Sequence, residues 1–386
     1  MAFILTVQKF LYPKDDYHKI FQDRRPRSQL FPCIKDSKGV KWRSEHRPKS
    51  VHKLRPGDID VIAAIGDSIT CGNAARENNP LGIIIQDRGV SFTGGGIGTW
   101  HDVITLPNII KNFNPNLTGY SIGRGDFYSH NAQLNVAVPA ALDDDVLDQV
   151  KMFIKKMSYN RRINFKNDWK LLSIFIGHND ICSYQCFDRR KHSPAAHKLN
   201  LQKALDYLYQ NVPRLFVNLI PLLDPTIAVR IPASSMVCNI FRRFACTCLF
   251  RFPSMKEGIV NLTAEVRRYQ EAERELVFSG RYDGREDFTV EIQPFSLLLN
   301  APMRMHDSEN EKLTKLLTNG FPFWSPECFH FNQRGLALMS FALWNNMLEP
   351  VGNKSLRMED YDNEDFKCPS EKYPYFFTKK NSKELT

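Results

Sequence analysis

The chain has 386 residues, with 52 Lys plus Arg against 42 Asp plus Glu, 42% hydrophobic residues, 20 Gly and 22 Pro. Those proportions exclude collagen, low-complexity tails and intrinsic disorder, because enough apolar surface exists to offset backbone ordering; the length admits two domains, or one large α/β domain with extensions. The net charge of +10 is uneven: residues 1–60 hold 14 basic and 7 acidic side chains, and such an arm can attract nucleic acid, anionic lipid or only solvent.

From Met1 to about Arg55 the chain is rich in charge and proline, as in Arg24-Arg25-Pro26-Arg27, and shows no sustained period. It reads as an irregular extension that wraps or precedes a core. Regular structure begins at Asp60, where Val61-Ile62-Ala63-Ala64-Ile65 has the length of a buried strand and stops at Gly66. A weaker strand candidate, Leu134 to Val138, ends at Pro139, and a helix with an acidic start follows from Asp143 to Met157. Further buried strands are expected at Leu171–Ile176 before Gly177, at Leu215–Ile220 before Pro221, and at Phe288–Ile292, alternating with helices over Pro194–Gln210 and Leu262–Phe278. The last helix spans Gly335–Leu348, where Leu336, Met339, Leu343 and Met347 read as core rather than as a binding stripe. Beyond Gly352 the chain turns polar, a loosely packed tail with Cys368 as a tether. Strands buried on both faces and alternating with helices predict an α/β fold of three layers, α/β/α, around a mostly parallel sheet. The expected organisation is a basic extension over 1–55, a catalytic domain over 56–352 and a polar tail over 353–386.

No run of about 18 apolar residues occurs, so a transmembrane helix is not expected. Met1 to Lys9 has a short apolar patch without a preceding basic region, so no signal peptide is legible. The nine cysteines include Cys182-x3-Cys186 and Cys246-x-Cys248, neither with the spacing and histidine company of a zinc site. Disulfides are preferred over free thiols, and the odd count leaves at least one thiol without an intramolecular partner. Sequons at Asn116, Asn261 and Asn353 fit the same oxidising, secreted or extracellular setting.

In an open α/β sheet reactive groups gather at the carboxyl ends of the strands. There the chain carries Gly66-Asp67-Ser68-Ile69-Thr70, Gly177-His178-Asn179-Asp180 and, before the last helix, Pro326-Glu327-Cys328-Phe329-His330. Ser68 follows a glycine turn after a buried strand, the placement a nucleophile needs, although a serine there is more often a helix cap. Thr70 stands where a Gly-x-Ser-x-Gly elbow has its last glycine, which weighs against the common α/β-hydrolase pattern. Glu327, three residues before His330, can hold that imidazole in one tautomer, and Asn179 can be an oxyanion donor or a plain turn residue.

Ser early, Asn in the middle and His near the end, in this order and at these strand ends, resemble the SGNH (Gly-Asp-Ser-Leu) hydrolases. Ser50 to Ile59, Thr105 to Ile109, Phe113 to Gly119, Arg162 to Phe165, Ser279 to Asp283, Arg285 to Val290 and Ala342 to Gly352 carry the likeness further, to the phospholipase B family, over about residues 50–352. The resemblance implies a flavodoxin-like fold, Ser68 as nucleophile, His330 as general base, and Asn179 with the Ser68 amide in the oxyanion hole. Two positions depart from the family pattern. Ala140, after Pro139, stands where the family has the glycine whose amide is the third oxyanion donor, and alanine resists positive φ. Glu327 stands where the family has aspartate. His178 replaces a second glycine and is not read as catalytic.

The expected function is serine-dependent hydrolysis of acyl esters in phospholipids or lysophospholipids, with Ser68, Glu327 and His330 as triad, no cofactor and no metal. Alternatives are a catalytically impaired lipid-binding relative, in which Pro139-Ala140 spoils the oxyanion site, and an esterase for other small esters. Nucleic acid is not an expected partner. The basic arm lies outside the predicted catalytic core and is at most an aid to approaching an anionic membrane surface.

Overall fold

The computed structural model describes residues 20–35, 39–230, 236–300, 323–356 and 366–385; the Met1–Lys9 patch lies outside them. Four parallel strands, β1 (Ile59–Gly66), β2 (Trp169–Phe175), β3 (Leu215–Leu219) and β4 (Phe288–Ile292), pair in the order β1-β2-β3-β4. The five longer helices are α1 (Val146–Tyr159), α2 (Pro194–Asn211), α3 (Met236–Ala245), α4 (Met255–Phe278) and α5 (Gln333–Met347).

Alternation along the strands sorts the core into two layers. Val61, Ala63 and Ile65 of β1, with Leu172, Ile174 and Val217, face α1, α2 and the end of α4. Ile62, Leu171, Phe175 and Phe216 face α5 and the segment around Ile104–Ile110. Helices thus cover both faces of a parallel sheet, the three-layer α/β/α arrangement expected.

The weak strand at 134–138 is not a regular strand. It lies beside β1 through an isolated bridge between Asn135 and Ala64, with Val136 N donating to Ala64 O at 2.9 Å and Val138 N to Gly66 O at 3.1 Å. Thr118 extends the same edge lower down, so β1 is flanked by two short segments in place of one strand. Helix α4 begins seven residues earlier than Leu262, capped by Ser254, whose side chain accepts from Glu257 N.

The terminal segments correct the expectation of a loose tail. Phe366, Phe376 and Phe377 are buried, with Phe376 N bonded to Leu54 O and Phe377 N to Met347 O, each at 2.9 Å. A fully buried Phe contributes roughly 1.5–3 kcal/mol, so this polar-looking stretch is anchored by its few aromatics. Cys33–Cys368 joins the two ends of the chain, while Cys182–Cys246, Cys186–Cys248 and Cys238–Cys328 lie around α3. Cys71 is the buried free thiol. The basic arm is partly neutralised within the molecule: Arg27 pairs with Asp102, Arg43 with Asp60, and Arg47 with Asp168.

Candidate active site

Strand β1 delivers the nucleophile candidate. Gly66 is required by close approach, since a Cβ there would lie 2.4 Å from Phe175 O and from Thr70 Oγ1. Asp67 then caps a single helical turn, Ser68–Cys71, by accepting from Ile69 N at 3.0 Å. Ser68 is the first residue of that turn, so its NH has no intrahelical acceptor. The other Asp67 oxygen is 2.8 Å from His178 Nδ1, and Leu223 N donates to His178 Nε2 at 3.1 Å. His178 Nδ1 therefore carries the proton toward Asp67, and both ring nitrogens are engaged. Through these bonds His178 ties the serine turn to the loop after β3.

The Glu327–His330 pair sits on a tight turn before α5. Ser325 N donates to His330 O at 2.9 Å, Cys328 N to Ser325 O at 2.8 Å, and Cys328 takes φ +63° to close the loop. Glu327 is completely buried, with Oε1 at 2.7 Å from His330 Nδ1 and 2.8 Å from His330 N, while Ser325 Oγ donates to Oε2. His330 Nε2 lies 2.8 Å from Ser68 Oγ, which is 262 positions away in the chain. The three side chains form a continuous carboxylate–imidazole–hydroxyl line. Glutamate, one methylene longer than the aspartate of the family pattern, reaches the imidazole at an ordinary hydrogen-bond length.

Two of the three oxyanion candidates, Ser68 and Asn179, follow the ends of β1 and β2, and Ala140 follows the irregular segment bridged to β1. Asn179 follows Gly177, which holds φ +110°, and its Nδ2 donates one hydrogen to Ala141 O at 2.9 Å. An amide nitrogen has two hydrogens, so the second stays available. Ala140 adopts φ +61° although it is not glycine. The left-handed region costs an L residue roughly 1–2 kcal/mol, and the surrounding loop supplies the restraint: Ala141 N is bonded to Val138 O at 3.1 Å. Buried Arg88 clamps the approach, donating to Asn135 O at 3.0 Å and Ala137 O at 2.8 Å. Ser68 and Asn179 are half-buried and Ala140 is exposed, so the site is reachable from solvent.

Behind Asn179 lies a buried charged network that the sequence pattern does not reveal. His197 Nδ1 is 2.9 Å from Asp143 and its Nε2 is 3.2 Å from Glu273, while Asp180 Oδ1 is 2.9 Å from His192 Nδ1 and Asp180 Oδ2 accepts from Asp143 N at 3.0 Å. Burial alone would lower the His197 imidazolium, but hydrogen bonds to Asp143 and Glu273 outweigh it and push it up to about 10. Burial, reinforced by the Asp143 charge, raises Asp180 to about 7. The network ties the starts of α1 and α2 to α4 and to the Asn179 turn. The Asp-Asp-Asp run at 143–145 gives no hint of it beyond a helix start. Among the described residues no group of three or more His, Cys, Asp or Glu side chains is disposed to hold a metal ion. A cavity of about 840 Å³, lined by Tyr120, Lys155 and Arg162 among others, lies at the far end of α1 and includes none of the triad.

Asn116 and Asn353 are exposed on irregular backbone, and Asn261 is exposed on α4.

Residues 62–343 match the family model described as GDSL-like lipase/acylhydrolase. The chain is 39% identical over 342 residues to human membrane-associated phospholipase B1 and 40% identical over 350 residues to the mouse protein, each time over 87% of this chain and 22% of the relative. The rat protein is 38% identical over 342 residues, with 23% of its length covered. The chain thus spans about a fifth of the length of these relatives. With the match covering most of the chain and falling on the sheet and helices that carry these side chains, the protein belongs to the GDSL-like lipase/acylhydrolase family.

Proposed function

We propose that the protein is a serine hydrolase that releases fatty acids from phospholipids or lysophospholipids. The observation that carries the reading is the unbroken line from Glu327 through His330 to Ser68, at 2.7 and 2.8 Å. The phospholipase B1 names of the relatives support the substrate class.

In this reading Ser68 Oγ attacks the ester carbonyl carbon as His330 Nε2 takes its proton, and Glu327 stabilises the imidazolium that forms. The carbonyl oxygen becomes an oxyanion that the NH groups of Ser68 and Ala140 and the second hydrogen of Asn179 Nδ2 would hold. Collapse breaks the ester C–O bond, and His330 returns the proton to the departing alcohol. Water, deprotonated by the same imidazole, then attacks the acyl-serine; the Ser68 Oγ–acyl bond breaks, His330 returns that proton to Ser68 Oγ, and the fatty acid leaves. Each proton in this cycle has a named donor and acceptor.

The rival, an impaired lipid-binding relative, rests on Ala140. Because Ala140 already holds φ +61°, its amide does not need a glycine to take that orientation, and the observation favours the active enzyme. Purified protein should hydrolyse a chromogenic short-chain ester and a lysophospholipid, and Ser68→Ala should abolish both while leaving the melting temperature unchanged. No turnover, turnover that survives Ser68→Ala, or a fluorophosphonate label retained in that variant refutes the reading. A substrate panel separates phospholipid from other small esters.

We further assign residues 56–352 as the hydrolase unit, with 1–55 and 353–386 as extensions joined to each other through Cys33–Cys368. Four disulfides and exposed sequons support a secreted or extracellular-face location with glycans at Asn116, Asn261 or Asn353. Mapping the native amino terminus and its glycopeptides tests that assignment.

A further inference from the structure

Helix α3 is covalently strapped to both sides of the candidate site. Near its start, Cys238 is bonded to Cys328, two residues before His330. Just past its end, Cys246 is bonded to Cys182, three residues after Asn179. Its inward face is fixed as well, since buried Arg242 donates from Nε to Cys328 O at 3.3 Å.

The opposite face has no such partners among the described residues. Met236, Ile240 and Phe244, spaced i, i+4 and i+8, are 67%, 46% and 76% exposed. On a helix that spacing forms one stripe, turned away from Cys238 and Arg242. Soluble surfaces carry single apolar side chains without consequence, but an aligned stripe marks an interaction site. Charge points to the partner: from Met236 through Lys256 the chain carries exposed Arg243, Arg251 and Lys256 and no carboxylate, buried Arg242 being turned inward. Exposed Arg243 and Arg251 pack over the rings of Phe250 and Phe187, at 4.9 and 4.4 Å. An apolar stripe bordered by cations is the pattern of a helix that lies in the headgroup region of an anionic phospholipid surface.

We propose that α3 is the membrane-docking element of this hydrolase, its exposed stripe entering the interface of an anionic phospholipid surface beside the mouth of the site. The inference rests on the phospholipid reading above. It moves the expected membrane contact from the amino-terminal arm, several of whose arginines are paired internally, to a helix tethered to the catalytic turns. Two of the four disulfides then have a common purpose: they hold the docking face in fixed register with His330 and Asn179.

The test compares wild type with the double variant Ile240→Ser/Phe244→Ser by flotation with phosphatidylcholine vesicles, with and without phosphatidylglycerol. Wild type should float with the anionic vesicles. The double variant should lose about tenfold or more in partitioning, the equivalent of burying two apolar side chains partway. Its hydrolysis of vesicle phospholipid should fall in parallel, while turnover of a soluble short-chain ester stays within about twofold, the two side chains being on the surface. A second probe, the Phe244→Trp variant, should shift its indole emission to the blue on addition of anionic vesicles. A wild type that does not float, a double variant that floats equally well, or an emission of the Phe244→Trp variant unmoved by vesicles overturns the proposal. Floating without turnover of either substrate upholds docking while refuting the hydrolase reading, so the two failures are separable.

Discussion

Shortening Glu327 by one methylene tests whether the site depends on glutamate or merely tolerates it. The turn from Ser325 to His330 is closed by backbone bonds and by the left-handed Cys328, so it cannot shift easily to follow a shorter side chain. Glu327→Asp withdraws the carboxylate by roughly one C–C bond, about 1.5 Å. The 2.7 Å contact with His330 Nδ1 then stretches toward about 4 Å, beyond hydrogen-bond range. A charge-assisted bond of this kind contributes about 1.5–3 kcal/mol, which corresponds to roughly 10-fold to 150-fold in rate. Glu327→Gln keeps the reach but removes the charge, and should cost more, on the order of 10⁴-fold, as expected when the imidazole is held in the wrong tautomer. The assay is kcat/KM on a soluble short-chain ester, with the melting temperature measured alongside. Glu327→Asp within twofold of wild type would refute the reasoning, as would equal losses in both variants accompanied by a collapse in melting temperature, which would mark Glu327 as a structural residue only.

Three other outcomes follow from the same geometry. Asn179→Ala should lower kcat by roughly 100-fold to 1000-fold with little change in KM, since one oxyanion donor is worth about 3–4 kcal/mol; a change confined to KM would remove Asn179 from that role. Ala140→Gly should leave kcat/KM within about threefold, because strain relief of about 1–2 kcal/mol is largely offset by unfolded-chain entropy and the amide orientation is already set; a gain above about tenfold would show that the alanine misplaces its NH. For His197 the folded-state value, about 10, lies above the ordinary 6.5. The stability it contributes is therefore complete below pH 6.5 and is lost as pH rises through about 10. His197→Gln should accordingly lower the melting temperature most near pH 6, with the gap to wild type narrowing toward pH 10, as followed by circular dichroism; a gap independent of pH would exclude the imidazolium.

The parts legible in the sequence are those in which local pattern and tertiary role coincide. Parallel strands buried on both faces read as unbroken apolar runs, so β1 to β4 can be placed from Val61–Ile65, Leu171–Ile176, Leu215–Ile220 and Phe288–Ile292, and each ends where a loop side chain is free to do chemistry. Ser68 and Asn179 stand out for that reason and His330 by its place just before the last helix, and the structure brings Ser68, Glu327 and His330 into one hydrogen-bonded line. What stays hidden depends on contacts between distant segments. Helix α3 is illegible because Cys238 and Arg242 face inward while three large apolar groups face solvent, an inverted amphipathic pattern that makes sense only once Cys238–Cys328 and Cys182–Cys246 are known. The tail looks loose because seven acidic and seven basic residues mask Phe366, Phe376 and Phe377. Ala140 shows the reverse case: its residue type argues against a left-handed backbone, yet the anchored loop around Asn135 to Ala141 imposes φ +61°. A local preference worth about 1–2 kcal/mol is overridden when several hydrogen bonds fix both flanks. The same consideration explains why the exposed face of α3 persists: disulfides, not burial of its apolar stripe, keep that helix in place, which leaves the stripe available to a partner outside the molecule.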